Sequence, residues 1–478
     1  MILLSISLTF KNLSIPKINN KIVLIMRIQG LCLAMILVST SILSVSWLTK
    51  HAINQDRRLN YKFRKTVLFI ADFPTLVKSL IGHYSQYVFT VGSPDSYSDL
   101  KVDGNFSSSD GGYILRSYNL SSGEWLVDLF NLSSKKITPL IGSQDIKADG
   151  PVSDVVEFSA PNRLAAIPER YRLWSPVCWG DGLLTFIVPL NDMVTVDLKS
   201  KKELWRVRGA FHHSLEVDSD GNFLSISSSS FRERNLNVAS YVDSGIDFED
   251  NVVVKVSPNG RILETISISD VLIHSNLEHL LFGSSNPNHN PDPIHANQVT
   301  PISVDGDYWK SGDILLSLRN LSTVLIVDPK SRTVKWSRSG PWMNQHCVFP
   351  VGKSGVSILD NHSFASGFYW LDRNWKSRFL IHNVGNGSTE SLNIAKKAGI
   401  DFLIPFEGRF QVIGLNKYYL EDCVKGAFFI YKDGGLIFKW SNCFPDGSCG
   451  KTGWCRYLDE STGDVFLSKM ASSDMTAE

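Results

Sequence analysis

From about residue 88 onward, the chain alternates short apolar runs with turn residues. The runs are rich in β-branched and aromatic residues, and dipeptides such as Asp220-Gly221 and Asn259-Gly260 separate them, as in β-hairpins. Runs of this kind lie at 112–118, 125–130, 183–189, 193–198, 204–207, 214–217, 222–227, 252–256 and 262–266. The pattern predicts an all-β fold of short antiparallel strands.

The strand-like runs also recur in groups of four, at about 295–338, 346–394 and 402–441. A repeat of roughly forty to fifty residues with four strands per unit is typical of a β-propeller. We therefore predict a six-bladed β-propeller over residues 91–470, with an insertion at about 268–294 and an irregular first blade closed by a strand from 454–467. An array of β-sandwiches is the alternative fold, because its strands would be spaced similarly.

The first ninety residues have a different pattern, which predicts helices. Residues 28–48 are apolar and uncharged, and such a segment is long enough to cross a bilayer. Four basic residues precede it, so the positive-inside rule places the N-terminus in the cytoplasm. We expect a single-pass inner-membrane anchor in residues 1–50, a transmembrane helix followed by a helical stalk in residues 51–90, and a propeller that faces the periplasm. The alternative is a signal peptide cleaved near residues 44–46, which would release the protein into the periplasm.

Composition and charge narrow the classes of partner. Hydrophobic residues make up 43% of the chain and charged residues 20%, as in a globular protein. A formal net charge of +1 argues against nucleic acid as a partner. The apolar positions of the stalk would also serve a homodimer contact. Among seven cysteines, Cys443, Cys449 and Cys455 are close enough for one pair to be bridged in an oxidising compartment.

Three histidines lie at similar places in the repeat. His213, His295 and His346 each stand near the start of the strand that should be innermost in its blade. The innermost strands line the channel of a propeller, so these imidazoles should converge on one axis together with Arg319. Imidazole and guanidinium donors match the oxygens of a tetrahedral anion such as sulfate. Zinc or copper is the alternative ligand, but the chain has no His-x-His or His-x3-His pair, and we predict no metal.

The sequence around these residues resembles the arylsulfotransferase family. The similarity extends from about residue 112 to residue 458 and is strongest over 211–221 and 293–361. Members of that family are periplasmic six-bladed propellers that move a sulfuryl group between phenols through a histidine. By this resemblance His346 attacks sulfur and becomes transiently sulfated, while His295 and Arg319 hold the sulfate. His213 matches the first histidine motif and completes the predicted catalytic set.

The resemblance implies a ping-pong reaction between an aryl sulfate and a phenol, with no nucleotide donor and no cofactor. A neutral imidazole attacks sulfur, and neighbouring cations neutralise the oxygens of the group in transfer. Four further residues close to the matched motifs are candidates for substrate binding: His212, Asn320, Gln345 and Asn361.

Two positions depart from the family pattern. Cys347 follows His346 at a place where relatives commonly carry an acidic residue, and Ala296 is smaller than the expected neighbour of His295. An acidic residue would orient the imidazole, and cysteine does so poorly. A non-catalytic propeller that binds an anionic or sulfated ligand is therefore the second hypothesis for the function. A scaffold whose rim binds other proteins is the third.

Overall fold

The computed structural model describes residues 106–107, 110–146, 150–156, 172–188, 192–230, 248–283, 292–363, 376–394, 402–404, 406–444 and 449–472. The predicted membrane anchor at residues 1–50 and the predicted stalk at residues 51–90 lie outside this part of the chain. Within the residues that the structure describes, no helix combines the length and the apolar character needed to cross a membrane.

The described strands form six sheets, and each sheet is one blade of a propeller. Blade 1 contains β1 (Tyr113–Asn119), β2 (Trp125–Asn131) and β3 (Ile137–Gly142), and blade 2 contains β4 (Val152–Val155), β5 (Trp174–Trp179), β6 (Leu183–Ile187), β7 (Met193–Asp197) and β8 (Lys202–Arg208). Blade 3 contains β9 (Phe211–Val217), β10 (Phe223–Ser230), β11 (Glu249–Val256) and β12 (Ile262–Ser267), and blade 4 contains β13 (Ala296–Pro301), β14 (Ile314–Leu318), β15 (Thr323–Asp328) and β16 (Thr333–Ser339). Blade 5 contains β17 (Val348–Val351), β18 (Gly355–Asp360), β19 (Arg378–Asn383) and β20 (Thr389–Ser391), and blade 6 contains β21 (Arg409–Gly414), β22 (Lys417–Asp422), β23 (Ala427–Lys432) and β24 (Gly435–Ser441).

The last strand of the chain closes the ring. β25 (Arg456–Leu458) pairs antiparallel with β1, so that Arg456 lies opposite Leu115, and it becomes the first strand of blade 1. In the other blades, successive strands pair antiparallel in chain order, apart from β4, which runs parallel to the outer edge of blade 2. The predicted six-bladed propeller is confirmed, and the alternative array of β-sandwiches is wrong.

Each blade packs against both of its neighbours, which explains the continuous apolar runs in the sequence. In β14, Leu316 and Leu318 pack with Ile226 of blade 3, whereas Leu315 packs with Ile358 of blade 5. Alternate residues of a strand point to opposite faces, so a strand with a blade on each side is apolar throughout. Burial of a leucine at such an interface contributes about 1.5–3 kcal/mol. One apolar core of this kind lies between each pair of adjacent blades.

Two short helices interrupt the repeat between blades 3 and 4, within the segment 268–294 that the sequence marks as an insertion. The first is α1 (Ile268–His274) and the second is α2 (His279–Phe282). Ser267 caps α1 by accepting a hydrogen bond from the backbone N–H of Asp270 at 3.1 Å. Apolar residues of α1 are buried in the core between the two blades.

The C-terminal part of the described chain fastens the ring. A third helix, α3 (Glu460–Ser472), follows β25 and packs Phe466 into the core between blades 1 and 2. Of the three neighbouring cysteines, Cys443 and Cys449 form a disulfide, while Cys455 is free and buried. This bond lies just before the strand that completes blade 1.

Candidate active site at the channel entrance

The first residues of the innermost strands surround one end of the propeller channel. His213 lies at a bulge in β9, because His212 pairs with Ile226 whereas Leu215 pairs with Ser225. The φ angle is 63° at His213 and 45° at His295, which directly precedes β13. Non-glycine residues rarely adopt this left-handed region, and such backbone clusters at functional sites where the surroundings impose it. The bulge changes the direction of the His213 side chain, which therefore departs from the alternation of side chains between the two faces of the strand.

The imidazoles that the sequence placed in register lie together. The ring centroid of His213 is 4.9 Å from that of His212, 5.2 Å from that of His295 and 5.9 Å from that of His346. The indole of Trp454 lies edge-on to two of these rings, 5.6 Å from His213 and 6.3 Å from His346. His213 is therefore the centre of a cluster to which blades 3, 4, 5 and 1 contribute.

The hydrogen bonds of His346 fix which of its nitrogens carries the proton. Asn361 donates from its amide nitrogen to the carbonyls of Ile404 (2.9 Å) and Glu407 (3.0 Å), so its Oδ1 must accept. Nδ1 of His346 lies 2.6 Å from this oxygen and is the donor. In the neutral ring Nε2 then holds a lone pair. The backbone N–H of Glu407 donates to Nε2 at 3.1 Å.

The electrostatic environment keeps His212, His213 and His346 neutral. Burial, reinforced by the positive charge of Arg319, lowers the pKa of His346 to about 3. Burial and the neighbouring His295 lower the pKa of His212 to about 3 as well. Burial, together with the three surrounding imidazoles and Arg319, lowers the pKa of His213 well below its ordinary value. A neutral imidazole has the free lone pair that a nucleophile needs.

A chain of contacts joins His295 to Arg319. Nδ1–H of His295 donates to Oδ2 of Asp292, and the backbone N–H of His295 donates to the other carboxylate oxygen at 3.0 Å. The backbone carbonyl of Asp292 accepts from the amide of Asn320 at 2.8 Å. Oδ1 of Asn320 in turn accepts from Arg319 at 2.7 Å. Asn320 thus braces the guanidinium against the loop that carries Asp292.

The four residues predicted to bind substrate are engaged in contacts within the protein. His212 shares a hydrogen bond of 2.7 Å with His213 between their Nδ1 atoms, so one of the two rings carries a proton there. Asn361 orients His346, and Asn320 braces Arg319. Gln345 is fully buried, and its amide donates to Ser317 Oγ and to two backbone carbonyls of blade 4. These contacts support positioning roles, and substrate binding by the four residues stays a prediction.

The other side of the channel entrance carries residues that sequence reasoning missed. The guanidinium of Arg172 donates two hydrogen bonds to the carboxylate of Glu407, at 3.1 Å and 2.6 Å. Burial raises the pKa of Glu407, but the charge and hydrogen bonds of Arg172, together with the nearby Lys451 and His346, lower it below its ordinary value. A signal existed in the register: Glu407, Arg172 and Trp454 each lie two residues before an innermost strand, as His346 does.

A second polar layer lies deeper in the channel, further along the same strands. Glu216 of β9 accepts from Arg409 at 2.9 Å and from Arg456 at 2.6 Å. Cys347 belongs to this layer, and its thiol donates to the carbonyl of Gly408 at 3.1 Å. Burial raises the pKa of Cys347 to about 12, so it stays a thiol. Asn361, rather than residue 347, orients His346.

Solvent reaches the cluster from one side. The side chain of His295 is 31% exposed, whereas His346 is only 1% exposed. A substrate from solution therefore meets His295 before it reaches His346. In the described part of the chain, no group of three or more histidine, cysteine, aspartate or glutamate side chains is arranged to hold a metal ion.

Comparison with known families agrees with this geometry. A family model described as arylsulfotransferase (ASST) matches residues 186–441, more than half of the 478-residue chain. The chain belongs to the arylsulfotransferase family. The match begins within blade 2 and extends through blade 6, so it covers every predicted site residue. Arg172 and Trp454 lie outside it.

Comparisons with curated sequences and with solved structures give no further information about function. No curated protein sequence matches the chain. A protein of unknown function from Bacteroides caccae is similar at 10% identity over 73% of this chain and 99% of its own, with a TM-score of 0.43. Streptogramin B lyase is similar at 8% identity over 74% and 96%, with a TM-score of 0.35. TolB from Acinetobacter baumannii is similar at 10% identity over 75% and 68%, with a TM-score of 0.37. Similarities this low carry no argument about function.

Proposed function

We propose that this arylsulfotransferase-family protein moves a sulfuryl group from an aryl sulfate to a phenolic acceptor through a transient sulfo-His346. The observation that carries the proposal is the state of His346. Its Nδ1–H is fixed on Asn361, its Nε2 holds a lone pair, and its pKa of about 3 keeps the ring neutral. A buried neutral imidazole with one oriented lone pair, beside a guanidinium, suits nucleophilic attack on an anionic ester.

In the first half-reaction, Nε2 of His346 attacks sulfur. A bond forms between Nε2 and sulfur, the bond between sulfur and the aryl oxygen breaks, and the phenolic oxygen leaves with the electron pair. The ring keeps its Nδ1–H on Asn361, so the sulfated imidazole bears a positive charge beside the negative sulfonate. Oδ1 of Asn361 stabilises that positive charge as the attack proceeds.

Donors around His346 would hold the sulfuryl oxygens during transfer. Arg319 supplies a permanent positive charge, and the imidazole of His213 faces the same space. The backbone N–H of Glu407 donates to Nε2 in the resting protein and would turn to a sulfuryl oxygen once Nε2 is bonded to sulfur. Oriented donors of this kind stabilise the charge that develops in a transition state.

In the second half-reaction, a phenol attacks the sulfur of sulfo-His346. A bond forms between sulfur and the phenolic oxygen, the bond to Nε2 breaks, and Nε2 recovers its lone pair. No nucleotide donor and no cofactor enter this scheme. The two half-reactions predict ping-pong kinetics.

The experiment that tests this function uses the full-length protein in detergent. Initial rates of 4-nitrophenolate release from 4-nitrophenyl sulfate are measured at several fixed concentrations of phenol. Parallel double-reciprocal lines are expected, because the two substrates never meet on the enzyme. Intersecting lines would indicate direct transfer without sulfo-His346.

The non-catalytic propeller has its own signature in the same assay. Absence of 4-nitrophenolate release, together with saturable binding of the aryl sulfate in calorimetry, would establish an anion-binding protein. The resting hydrogen bond from Glu407 N–H to Nε2 favours this second candidate, since it occupies the lone pair that attack requires.

We also propose that residues 28–48 anchor the protein in an inner membrane, with the propeller in the periplasm. This rests on the apolar segment and the basic residues before it. Carbonate extraction of membranes should leave the protein in the pellet. A soluble periplasmic form with a new N-terminus near residue 46 would support cleavage of a signal peptide instead.

A further inference from the structure

Asp292 forms a carboxylate–imidazole pair with His295, and the sequence did not predict a role for Asp292. Asp292 contacts His295 twice, once at the backbone N–H and once at Nδ1. The carboxylate can only accept at Nδ1, so the neutral ring carries its hydrogen there and leaves a lone pair on Nε2. Carboxylates that hold Nδ1–H in this way fix the tautomer and stabilise the imidazolium that forms when Nε2 takes a proton.

The surroundings hold Asp292 in place as an anion. Burial raises the pKa of the Asp292 carboxyl, but the hydrogen bonds and charge of His295, together with the nearby His212, lower it below its ordinary value. The backbone of Asp292 is tied to Asn320, and Asn320 is tied to Arg319. The pair therefore has a fixed position relative to the guanidinium of the cluster.

Sulfuryl transfer between phenols needs a site for one proton. A phenol keeps its proton up to a pH of about 10, as tyrosine does, so an acceptor must lose that proton as its oxygen attacks. His346 cannot take it, because its Nδ1–H is on Asn361 and its Nε2 is the atom bonded to sulfur. The Nδ1 atoms of His212 and His213 are joined to each other, whereas Nδ1–H of His295 faces the carboxylate of Asp292, which stabilises an imidazolium. His295 combines an oriented lone pair on Nε2 with the exposure that a substrate can reach.

We propose that His295 is the general acid–base for the phenolic oxygen and that Asp292 is its positioning residue. This inference rests on the proposed function. In the second half-reaction, Nε2 of His295 takes the proton of the acceptor phenol as the bond between oxygen and sulfur forms. The imidazolium of His295 then gives that proton to the phenolate that leaves the next aryl sulfate. The proton is conserved over each cycle, and no other co-reactant is required.

The test compares two aryl sulfates that differ in their need for the proton. The phenolate that leaves phenyl sulfate needs protonation, whereas 4-nitrophenolate is stable without it near neutral pH. In a ping-pong scheme, kcat/KM for the donor reports only the first half-reaction. Asp292→Asn in the full-length protein should lower kcat/KM for phenyl sulfate about 100-fold more than for 4-nitrophenyl sulfate, a typical contribution of general acid–base catalysis. His295→Gln should discriminate between the donors in the same direction.

The controls distinguish a failure of the proton-transfer role from a failure of the proposed sulfuryl transfer. Asp305→Asn, which alters an exposed aspartate paired with Lys310, should leave both rates unchanged. Equal losses on the two donors in Asp292→Asn and His295→Gln would overturn the proton-transfer role, because a residue that only shapes the site or holds sulfate oxygens cannot sense the leaving group. A wild-type protein inactive on both donors would overturn the proposed function and this inference together.

Discussion

The two halves of the channel entrance share one register and differ in chemistry. The histidine half comprises His213, His295 and His346 from blades 3, 4 and 5. The charged half comprises Glu407, Trp454 and Arg172 from blades 6, 1 and 2. In the histidine half, a neighbour holds Nδ1 of each residue, Nε2 of His346 also accepts from the backbone N–H of Glu407, and the permanent charge of Arg319 lies nearby. In the charged half, Arg172 and Glu407 satisfy each other with two hydrogen bonds.

This difference indicates that the two halves have different roles, one in catalysis and one in stability. A neutral imidazole with a lone pair can form a bond to a substrate, whereas the charges of Arg172 and Glu407 are directed at each other and join blade 2 to blade 6. The family match includes all three histidines and Glu407 and excludes Arg172 and Trp454. The histidine half should therefore control catalysis, and the charged half should control stability.

The largest expected effect comes from breaking the ion pair of the charged half. Arg172→Met leaves Glu407 buried without its partner, and removal of one member of a buried pair costs about 3–5 kcal/mol. Arg172 is 3% exposed, so solvent cannot compensate for the loss. The free energy of unfolding in urea measures this cost. Adding Glu407→Leu should restore most of the lost stability.

An exposed ion pair provides the matched control. Lys310→Met removes a partner of Asp305, and both side chains of that pair are more than half exposed. Exposed pairs contribute about 0–1 kcal/mol, so this variant should change little. A loss in Arg172→Met no larger than the loss in Lys310→Met would contradict the stabilising role of the charged half.

The next largest effect is a loss of activity when Arg319, the cation beside the histidine half, is replaced. Arg319→Ala removes the charge beside His346 and should lower kcat/KM for 4-nitrophenyl sulfate by about 10²–10³, as loss of one oriented donor to a transition state does. The exposed Arg261, in a turn of blade 3, is the control, and Arg261→Ala should keep the wild-type rate. Unchanged turnover in Arg319→Ala would show that the sulfuryl group lies elsewhere.

A smaller effect is expected from the residue that orients His346. Asn361→Leu removes the oxygen that holds Nδ1–H, and loss of an orienting partner lowers activity by roughly 10–100-fold. Asn361→Asp keeps an acceptor at that place and should retain more of the rate. Single-turnover release of 4-nitrophenolate distinguishes the two variants. Equal rates in both would argue that His346 needs no orientation.

The smallest effect is a pH dependence of stability to which the buried histidines of the cluster contribute. The pKa of His212 and of His346 is about 3 in the folded protein, below the ordinary value of 6.5. As the pH falls below 6.5, the unfolded chain binds protons that the folded chain does not. Stability should therefore fall with falling pH by at most about 1.4 kcal/mol per pH unit for each such histidine.

Urea unfolding between pH 7 and pH 5 measures this slope. His346→Asn should make the slope shallower by about one histidine's contribution. The double variant of Arg172 and Glu407 should leave the slope in this window unchanged, since the lowered pKa of Glu407 acts below its ordinary value of 4.5. A slope that does not respond to His346→Asn would show that this histidine is protonated in the folded protein.

The fold could be predicted from the sequence because its rules are local and repeated. A strand such as β14, apolar at every position but one, is explained by a blade on each side, and the four-strand period follows from it. The closing strand was also visible, since Arg456–Leu458 lies inside the segment predicted to complete blade 1. The cysteine pairing was not, because three cysteines at equal spacing give no preference without coordinates.

Only the part of the site in which the same residue type recurs from blade to blade could be predicted from the sequence. The three histidines stand out in sequence because they share a chemistry and a register. Glu407, Trp454 and Arg172 share the register of His346, two residues before an innermost strand, but they have three different chemistries, so the register alone does not single them out as one site. Asp292 contacts His295, three positions later, because the chain turns between them, and the conformation of that turn could not be predicted from the sequence. Asn361 reaches His346 only because strand pairing in blade 5 brings together positions fifteen residues apart.

The measurement that tests the central claim most directly is the mass of the protein after the first half-reaction. Full-length protein is mixed with 4-nitrophenyl sulfate without an acceptor, and its intact mass is recorded. A gain of about 80 Da, one sulfuryl group, is expected for the wild type because the covalent half-reaction stops there. His279→Ala, which alters an exposed histidine of α2, should show the same gain, and His346→Ala should show none. A sulfuryl adduct that persists in His346→Ala would contradict the account, because another residue would then be the nucleophile.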